Sequence, residues 1–259
     1  MYTKFLFFTF IFITFQATQA IGQTENDSTK KEQLVHFSGT VGVTNNGFSI
    51  IPTFSLNSPA TIINLSWAKD RFSFDPDIRL VPNATKGGFI FWFRYRLVEK
   101  QKFTLRVGAH PAFTMIRRFE NGTQTEMTEM LRFLAYEIVP NYQITPKWGM
   151  SAMFLQGHGL ADYGPQRTDA LFFSSAISQI QITPKIHLSL FPSVYFLQTD
   201  GYKGKYLAVT SILGHTKSGL SIQSTINQTI TSSIPGNQFF MWNLGVHYSF
   251  QRAYKRMKI

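Results

Sequence analysis

The chain has 259 residues, a formal charge of +11 from 25 Lys and Arg against 14 Asp and Glu, and no cysteine. Missing thiols exclude disulfides, thiolate nucleophiles, Cys-ligated zinc and iron–sulfur clusters. Aromatics make up 15% of the chain, led by 26 Phe, which excludes a disordered polymer, and the long apolar runs of a polytopic helical membrane protein are missing.

Met1 to Ala20 reads as an export signal. Lys4 supplies the positive start, Phe5 to Phe15 the apolar core, and Ala17-Thr18-Gln19-Ala20 a small-residue end that predicts cleavage after Ala20. The apolar run is short for the roughly 30 Å of hydrocarbon that a membrane anchor must cross. Residues 21–46 follow as a leader. Ile21 to Gln33 is polar, and Val35 to Val43 is strand-like, with Phe37, Val41 and Val43 apolar. This second part is read as an extension of the first strand or as a periplasmic or lumenal plug. A bend is expected at Asn45-Asn46-Gly47.

From residue 47 to 250 the dominant signal is period two, the mark of strands whose faces see different surroundings. Phe48, Ile50 and Phe54 alternate with Ser49, Thr53 and Ser55. Phe72, Phe74, Ile78 and Leu80 oppose Arg71, Ser73, Asp75, Asp77 and Arg79. Phe89, Phe91, Phe93, Tyr95 and Leu97 oppose Trp92, Arg94 and Arg96. Leu220 to Ile230 alternates Ile with Ser, Thr, Gln and Asn, and Phe240 to Phe250 sets six large apolar residues against Asn243, Gly245, His247 and Ser249.

Connection lengths separate a membrane barrel from a soluble sandwich. Short turns at 68–70, 99–101, 145–147, 183–185 and 217–218 alternate with longer polar connections at 81–87, 117–126, 161–168, 200–204 and 231–237. Tight periplasmic turns and longer external loops are the pattern of an outer-membrane barrel. The predicted strands are 47–56, 60–67, 71–80, 87–98, 102–116, 127–144, 148–160, 168–182, 186–199, 205–215, 219–230 and 238–250. The reading is all-β: an antiparallel transmembrane β-barrel of twelve strands, with fourteen as the alternative, over residues 47–250. Pro52, Pro111, Pro140 and Pro192 lie inside these strands and call for bulges or rim positions, because a closed barrel offers no free edge. The repeated Ile-Thr-Pro-Lys at 144–147 and 182–185 is read as turn chemistry, and Tyr142 and Trp148 as part of an interfacial aromatic girdle.

With its export signal, turn–loop alternation and terminal Val246-His247-Tyr248-Ser249-Phe250, the chain resembles the outer-membrane β-barrel proteins of Gram-negative bacteria. The last segment is similar to the aromatic-ended signal that such proteins present to the barrel assembly machinery, although Gln251 to Ile259 follow it. The Phe-rich segments GFSIIPTFSL and FIFWFRY also look like porin-like barrels of the Bacteroidetes. The resemblance implies a place in the cell outer membrane and contact with its lipid, without naming an activity.

If the apolar face meets lipid, the other face gives the pore-lining residues: Arg71, Asp75, Asp77, Arg79, Arg94, Arg96, Arg106, His110, Glu137, His187 and His247. The expectation is a porin-like passive channel for small solutes with an Arg-biased lumen; Arg exceeds carboxylate here and pore-lining charge sets ion preference, so an Arg-rich constriction that favours small anionic solutes is the sharper reading of these charges. A ladder of structural ion pairs that braces the wall is the leading reading of them. Enzymatic alternatives have little to work with. Outer-membrane phospholipase A carries a His-x-Ser-Asn run that is missing here. Lipid A deacylases pair His-x-Ser with a later Glu, which makes His247 and Ser249 the candidate catalytic residues of a lipid-modifying enzyme, but no acidic residue follows them. A barrel that binds partners through its loops, or serves structure alone, is the last alternative. The six scattered His lack metal-ligand spacing, and no cofactor motif is present, so neither metal nor cofactor is expected. Residues 251–259, with Arg252, Lys255, Arg256 and Lys258, form a basic tail read as facing anionic headgroups or the cell wall, not nucleic acid.

Overall fold

The computed structural model describes residues 34–49, 54–119 and 126–255. The export signal, most of the leader, Pro52 and the last residues of the tail lie outside them. Twelve strands, β1 (Leu34–Thr44), β2 (Ala60–Lys69), β3 (Phe72–Leu80), β4 (Gly87–Glu99), β5 (Phe103–Phe119), β6 (Glu126–Thr145), β7 (Trp148–Gly159), β8 (Arg167–Thr183), β9 (Ile186–Thr199), β10 (Tyr202–His215), β11 (Leu220–Ser232) and β12 (Phe240–Lys255), run antiparallel and close into one barrel. β1 pairs with β2 on one side and with β12 on the other, so no edge is left.

The expected strand count is met by a different first strand. Val35 to Val43 belongs to the wall, where it pairs from Leu34↔Lys255 to Thr44↔Gly245, and is neither an extension nor a plug. Residues 47–49 and 54–56 form no strand and turn inward: Phe48, Phe54 and Leu56 are buried. Period-two alternation in 47–56 misleads because a segment folded into the barrel also buries its large apolar side chains without pairing as a strand, and Gly47, Phe48 and Ser49 are all buried in succession. The bend before it is real, with Gly47 at a φ of 54°, where glycine has no steric cost. At the other end β12 runs past Phe250 to Lys255, so residues 251–255 are strand and not tail. The expected loop at 200–204 is a two-residue turn, Asp200-Gly201, with both residues at positive φ as a type I′ hairpin requires.

The outer face is apolar. Val43, Leu207, Ile226 and Val246 are among its exposed large side chains. A ribbon of rings crosses six strands on this face, from Phe250 to Phe37 (5.4 Å), Trp67 (4.7 Å from Phe37), Phe74 (5.9 Å), Phe91 (6.4 Å) and Phe113 (6.2 Å). Water does not tolerate such a surface on a single chain, and a closed barrel that bonds all its strands to one another is one of the two architectures lipid accepts. Tyr142 and Trp148 take the exposed outward positions expected of them beside the 146–147 turn. Both Thr-Pro-Lys turns are built alike: Thr145 Oγ1 accepts the Trp148 N–H (3.1 Å) and Thr183 Oγ1 the Ile186 N–H (3.1 Å).

The prolines are accommodated by one device. Pro111 pairs with Leu134 of β6, while β4–β5 pairing is interrupted between Ile90↔Ala112 and Phe93↔Ala109. Pro140 pairs with Leu105, and β6–β7 pairing breaks between Ile138↔Phe154 and Asn141↔Ser151. Pro192 pairs with Val209, and the β8–β9 ladder breaks between Ser174↔Ser193 and Ile177↔Leu190. Pro76 repeats the arrangement between β2 and β4. Each proline keeps its partner on one side and faces a gap on the side where its missing N–H would have donated.

Candidate functional site: a plugged bore

Inward-facing positions divide the bore into two unlike walls. On β3 to β6 the side chains are ionic. Arg94 sits between two carboxylates, donating from Nε to Glu137 Oε1 (2.8 Å) and from a terminal nitrogen to Asp75 Oδ2 (3.0 Å). Ser66 and Ser73 add hydroxyl bonds to Asp75 at 2.5 and 2.8 Å. Arg106 Nε lies 3.4 Å from the same Glu137 oxygen. Trp92 covers the cluster, with the Arg94 guanidinium 4.1 Å from its ring centre and the His110 ring tilted against it at 3.7 Å. Asp75, Arg94, His110 and Glu137 are all buried, Glu137 to 2% exposure. Arg79 grips Asp77 with two bonds of 2.9 and 2.7 Å.

Most of the expected pore-lining residues are therefore brought together. The interior arginines (Arg79, Arg94 and Arg106) are matched by Asp75, Asp77 and Glu137, so the expected arginine surplus is not inside. It stands at the periplasmic rim: Arg71 is exposed beside the β2–β3 turn, and Arg96, 40% exposed, pairs with Glu99 at 2.6 Å. His187 lies against Gly214, away from the cluster. His247 is buried over Gly42 and Gly245 on the seam that closes the barrel. Ser249, also facing inward, shares a 3.0 Å hydrogen bond with Thr40. The candidate catalytic pair thus faces the bore and not the lipid, and the Nδ1 of His247 has no hydrogen-bond partner.

The other wall overturns the expectation of a polar interior. Toward the external ends of β6 to β10 the inward side chains are mostly apolar or aromatic, while Ser151, Ser174, Ser189 and Ser193 face the bore further down. Phe133 on β6, Leu155 on β7, Phe172 on β8, Leu197 on β9 and Tyr206 on β10 are buried, and Phe172, Tyr195 and Tyr206 stack at 5.1 and 4.7 Å. The sequence carried this signal as strands apolar on both faces, such as Ala170 to Phe173.

Of the connection that joins β1 to β2, residues 45–49 and 54–59 lie in the mouth between these walls. Phe54 packs on Ile90, Ala112, Leu131 and Phe133, its ring 5.5 Å from that of Phe133. Arg79 donates to the Phe48 carbonyl (2.9 Å), tying the segment to the ionic wall. Ser55 and Asn57 meet Tyr195, Tyr206 and Asn227 around a small cavity on the far side. Ile234, from the β11–β12 connection, and Trp92 both pack on the apolar wall. The segment leaves and returns at one point: the Leu56 N–H bonds the Gly47 carbonyl and the Ser58 N–H the Asn46 carbonyl, both at 3.1 Å. Among the described residues no group of three metal-ligating side chains occurs.

No known protein family and no curated protein matches the sequence. Solved structures do resemble the fold. An outer-membrane channel from Pseudomonas putida F1 is 11% identical, with a TM-score of 0.47 over 91% of this chain and all of that one (100%). The Pseudomonas putida toluene transporter TodX is 6% identical, with a TM-score of 0.37 over 87% of this chain and 89% of its own. The translocator domain of the autotransporter NalP from Neisseria meningitidis is 8% identical, with a TM-score of 0.39 over 89% and 90%. These are likenesses of barrel form alone.

Proposed function

We propose that this protein is a gated conduit of the outer membrane that rests closed, its gate built on residues 47–49 and 54–56 of the β1–β2 connection. The closed barrel with its apolar outer face supports the membrane location, as does the resemblance of the Phe-rich strands to Bacteroidetes barrels. The observation that carries the gating reading is the pinch at Asn46 and Ser58: a segment that fills the mouth hangs from the wall by its two ends, so it can swing out without breaking a strand pair. Its described ties to the walls include the packing of Phe54, that of Leu56 against Ala60 and Val81, and the Arg79–Phe48 bond. The ionic wall holds the barrel's cross-section while the plug moves, because Arg94 links β3, β4 and β6 through their side chains. The matched interior charges give the bore itself no anion preference. Planar-bilayer recording tests the reading: the wild type should stay largely silent, and a variant with residues 48–55 replaced by two glycines should conduct steadily. Equal silence of both would refute a conduit.

A further inference from the structure

At its periplasmic end the barrel has six places where neighbouring strands finish together: the turns β2–β3, β4–β5, β6–β7, β8–β9 and β10–β11, and the seam where β12 meets β1. Each carries a cation. Lys69 ends β2, Lys100, Lys147, Lys185 and Lys217 lie in the four following turns, and Arg252 stands opposite Phe37 at the seam. Among the described residues none of the six enters an ion pair, so the fold does not use their charge. The carboxylates described at this end are Asp70 and Glu99. Arg96 holds Glu99 at 2.6 Å, and Asp70 sits between Lys69 and Arg71 in its own turn. The external end is mixed, with Asp162, Asp169 and Asp200 among its cations and Asp169 bound to Arg167 at 2.9 Å.

Three of the turns present their lysine by one device. The Lys147 N–H bonds Thr145 Oγ1 (3.3 Å), the Lys185 N–H bonds Thr183 Oγ1 (3.3 Å) and the Lys217 N–H bonds His215 Nδ1 (3.4 Å). A side chain two residues back fixes the backbone, and the lysine itself is exposed. The repeated Ile-Thr-Pro-Lys is thus a mount for lysine, a residue that turn geometry does not require. The cations also border aromatic residues of the lipid-facing surface. Trp148 follows Lys147 directly, Lys69 shares its face with Trp67, and Arg252 shares the face of Phe250 and Tyr254. Trp67, Trp148 and Tyr254 are exposed. Tryptophan and tyrosine sit at headgroup level, so the cations reach lipid phosphates from just below.

We infer that this ring collects anionic phospholipid from the periplasmic leaflet as the barrel's first shell of lipid. The arrangement selects this partner: lipid surrounds a barrel and the cations are spread over its whole circumference, whereas a cell-wall strand or a docked protein would meet a patch on one side. Ammonium and guanidinium groups give phosphate charge-assisted hydrogen bonds, and basic residues at the surface favour lipids of net negative charge over zwitterionic ones. The inference needs only the membrane barrel and is independent of gating.

Tryptophan quenching by brominated lipid tests this. The protein carrying Trp242→Phe is refolded into vesicles that mix dibrominated phosphatidylglycerol, or dibrominated phosphatidylcholine, with unbrominated phosphatidylcholine. Trp67 and Trp148 then report the lipid beside the ring, while Trp92 packs inside the bore. Phosphatidylglycerol should be enriched beside them about threefold over phosphatidylcholine in low salt, and about 0.5 M salt should remove most of the enrichment. Glutamine at all six cations should bring the ratio to about one. Should that variant fail to refold, Lys147→Gln with Lys185→Gln and Lys217→Gln, whose turns keep their backbone bonds, should remove about half of the enrichment. Glutamine at Lys86, Lys203 and Lys205 of the external end should leave the ratio unchanged. Equal quenching by the two lipids in the wild type, or an enrichment that survives loss of the ring cations, would overturn the inference. So would a wild type that shows no lipid preference but sediments with purified cell-wall sacculi through the same cations, since the ring would then read a wall polymer.

Discussion

The Arg94 guanidinium donates to Glu137 at 2.8 Å across β5, a strand that contributes Arg106 to the same carboxylate from the other side. Three strands are thereby joined through one acid that is 2% exposed. Breaking a buried pair from one side leaves an uncompensated charge and costs roughly 3–5 kcal/mol. Glu137→Gln should lower the urea stability of the refolded barrel by about that amount, and Arg94→Met by at least as much, since it strands two carboxylates. The rim pair Arg96–Glu99 is the contrast: both side chains are exposed, and Arg96→Gln should cost less than about 1 kcal/mol.

The ladder gaps opposite the prolines make a second prediction. Proline inside a continuous sheet costs a hydrogen bond, but Pro192 and Pro111 already face breaks in pairing. Pro192→Ala and Pro111→Ala should each change unfolding stability by under about 1 kcal/mol. A loss several times larger in either would show that the proline ring, and not the gap, holds the site.

His247 lies across Gly42 on the closing seam, its Cγ 2.6 Å from where a Cβ on that glycine would stand, with the Val246 carbonyl at 2.7 Å. Gly42→Ala should destabilise the barrel by about 1–3 kcal/mol, as overpacking does. Adding His247→Ala should recover part of that loss, because the two positions are coupled through direct contact. If His247 and Ser249 instead formed a lipid-cleaving pair, Ser249→Ala would abolish hydrolysis of phospholipid by the purified protein, whereas the seam role predicts no hydrolysis to lose.

Eleven of the twelve strands were legible in the sequence because side-chain period and turn spacing are local properties. The ionic wall was legible too: Asp75, Asp77, Arg79, Arg94, Arg106 and Glu137 sit on inward positions as alternation places them. The plug was not. Phe48 and Phe54 alternate with serine as strand residues do, and only pairing between Val41 and both Ile63 and Tyr248 assigns the wall to Val35–Val43. Long-range pairing leaves no trace in a single segment. The apolar half of the bore escaped for a related reason. Alternation marks a strand only when its faces differ, and toward the external ends of β6 to β10 large apolar side chains such as Phe172 and Leu197 also face inward.

Arg79 should act as the catch of the plug. It holds Asp77 with two bonds and reaches the Phe48 carbonyl with a third. Lysine keeps the charge but lacks the planar fork that makes all three bonds at once. Arg79→Lys should therefore give brief openings in bilayer recordings several times more often than the wild type, without lowering the gel-shift temperature of the folded barrel.

The most direct measurement of the central claim is single-channel current across a planar bilayer, comparing the intact chain with one in which residues 48–55 are replaced by two glycines. The Leu56–Gly47 and Ser58–Asn46 bonds at 3.1 Å keep the ends of the excised segment together, so the wall should form unchanged. A gated conduit predicts rare, short openings from the first and long, stable steps from the second. A second protein that refolds to the heat-modifiable barrel and passes no current would mean that the bore is closed by its own walls, and that this chain carries nothing through the membrane.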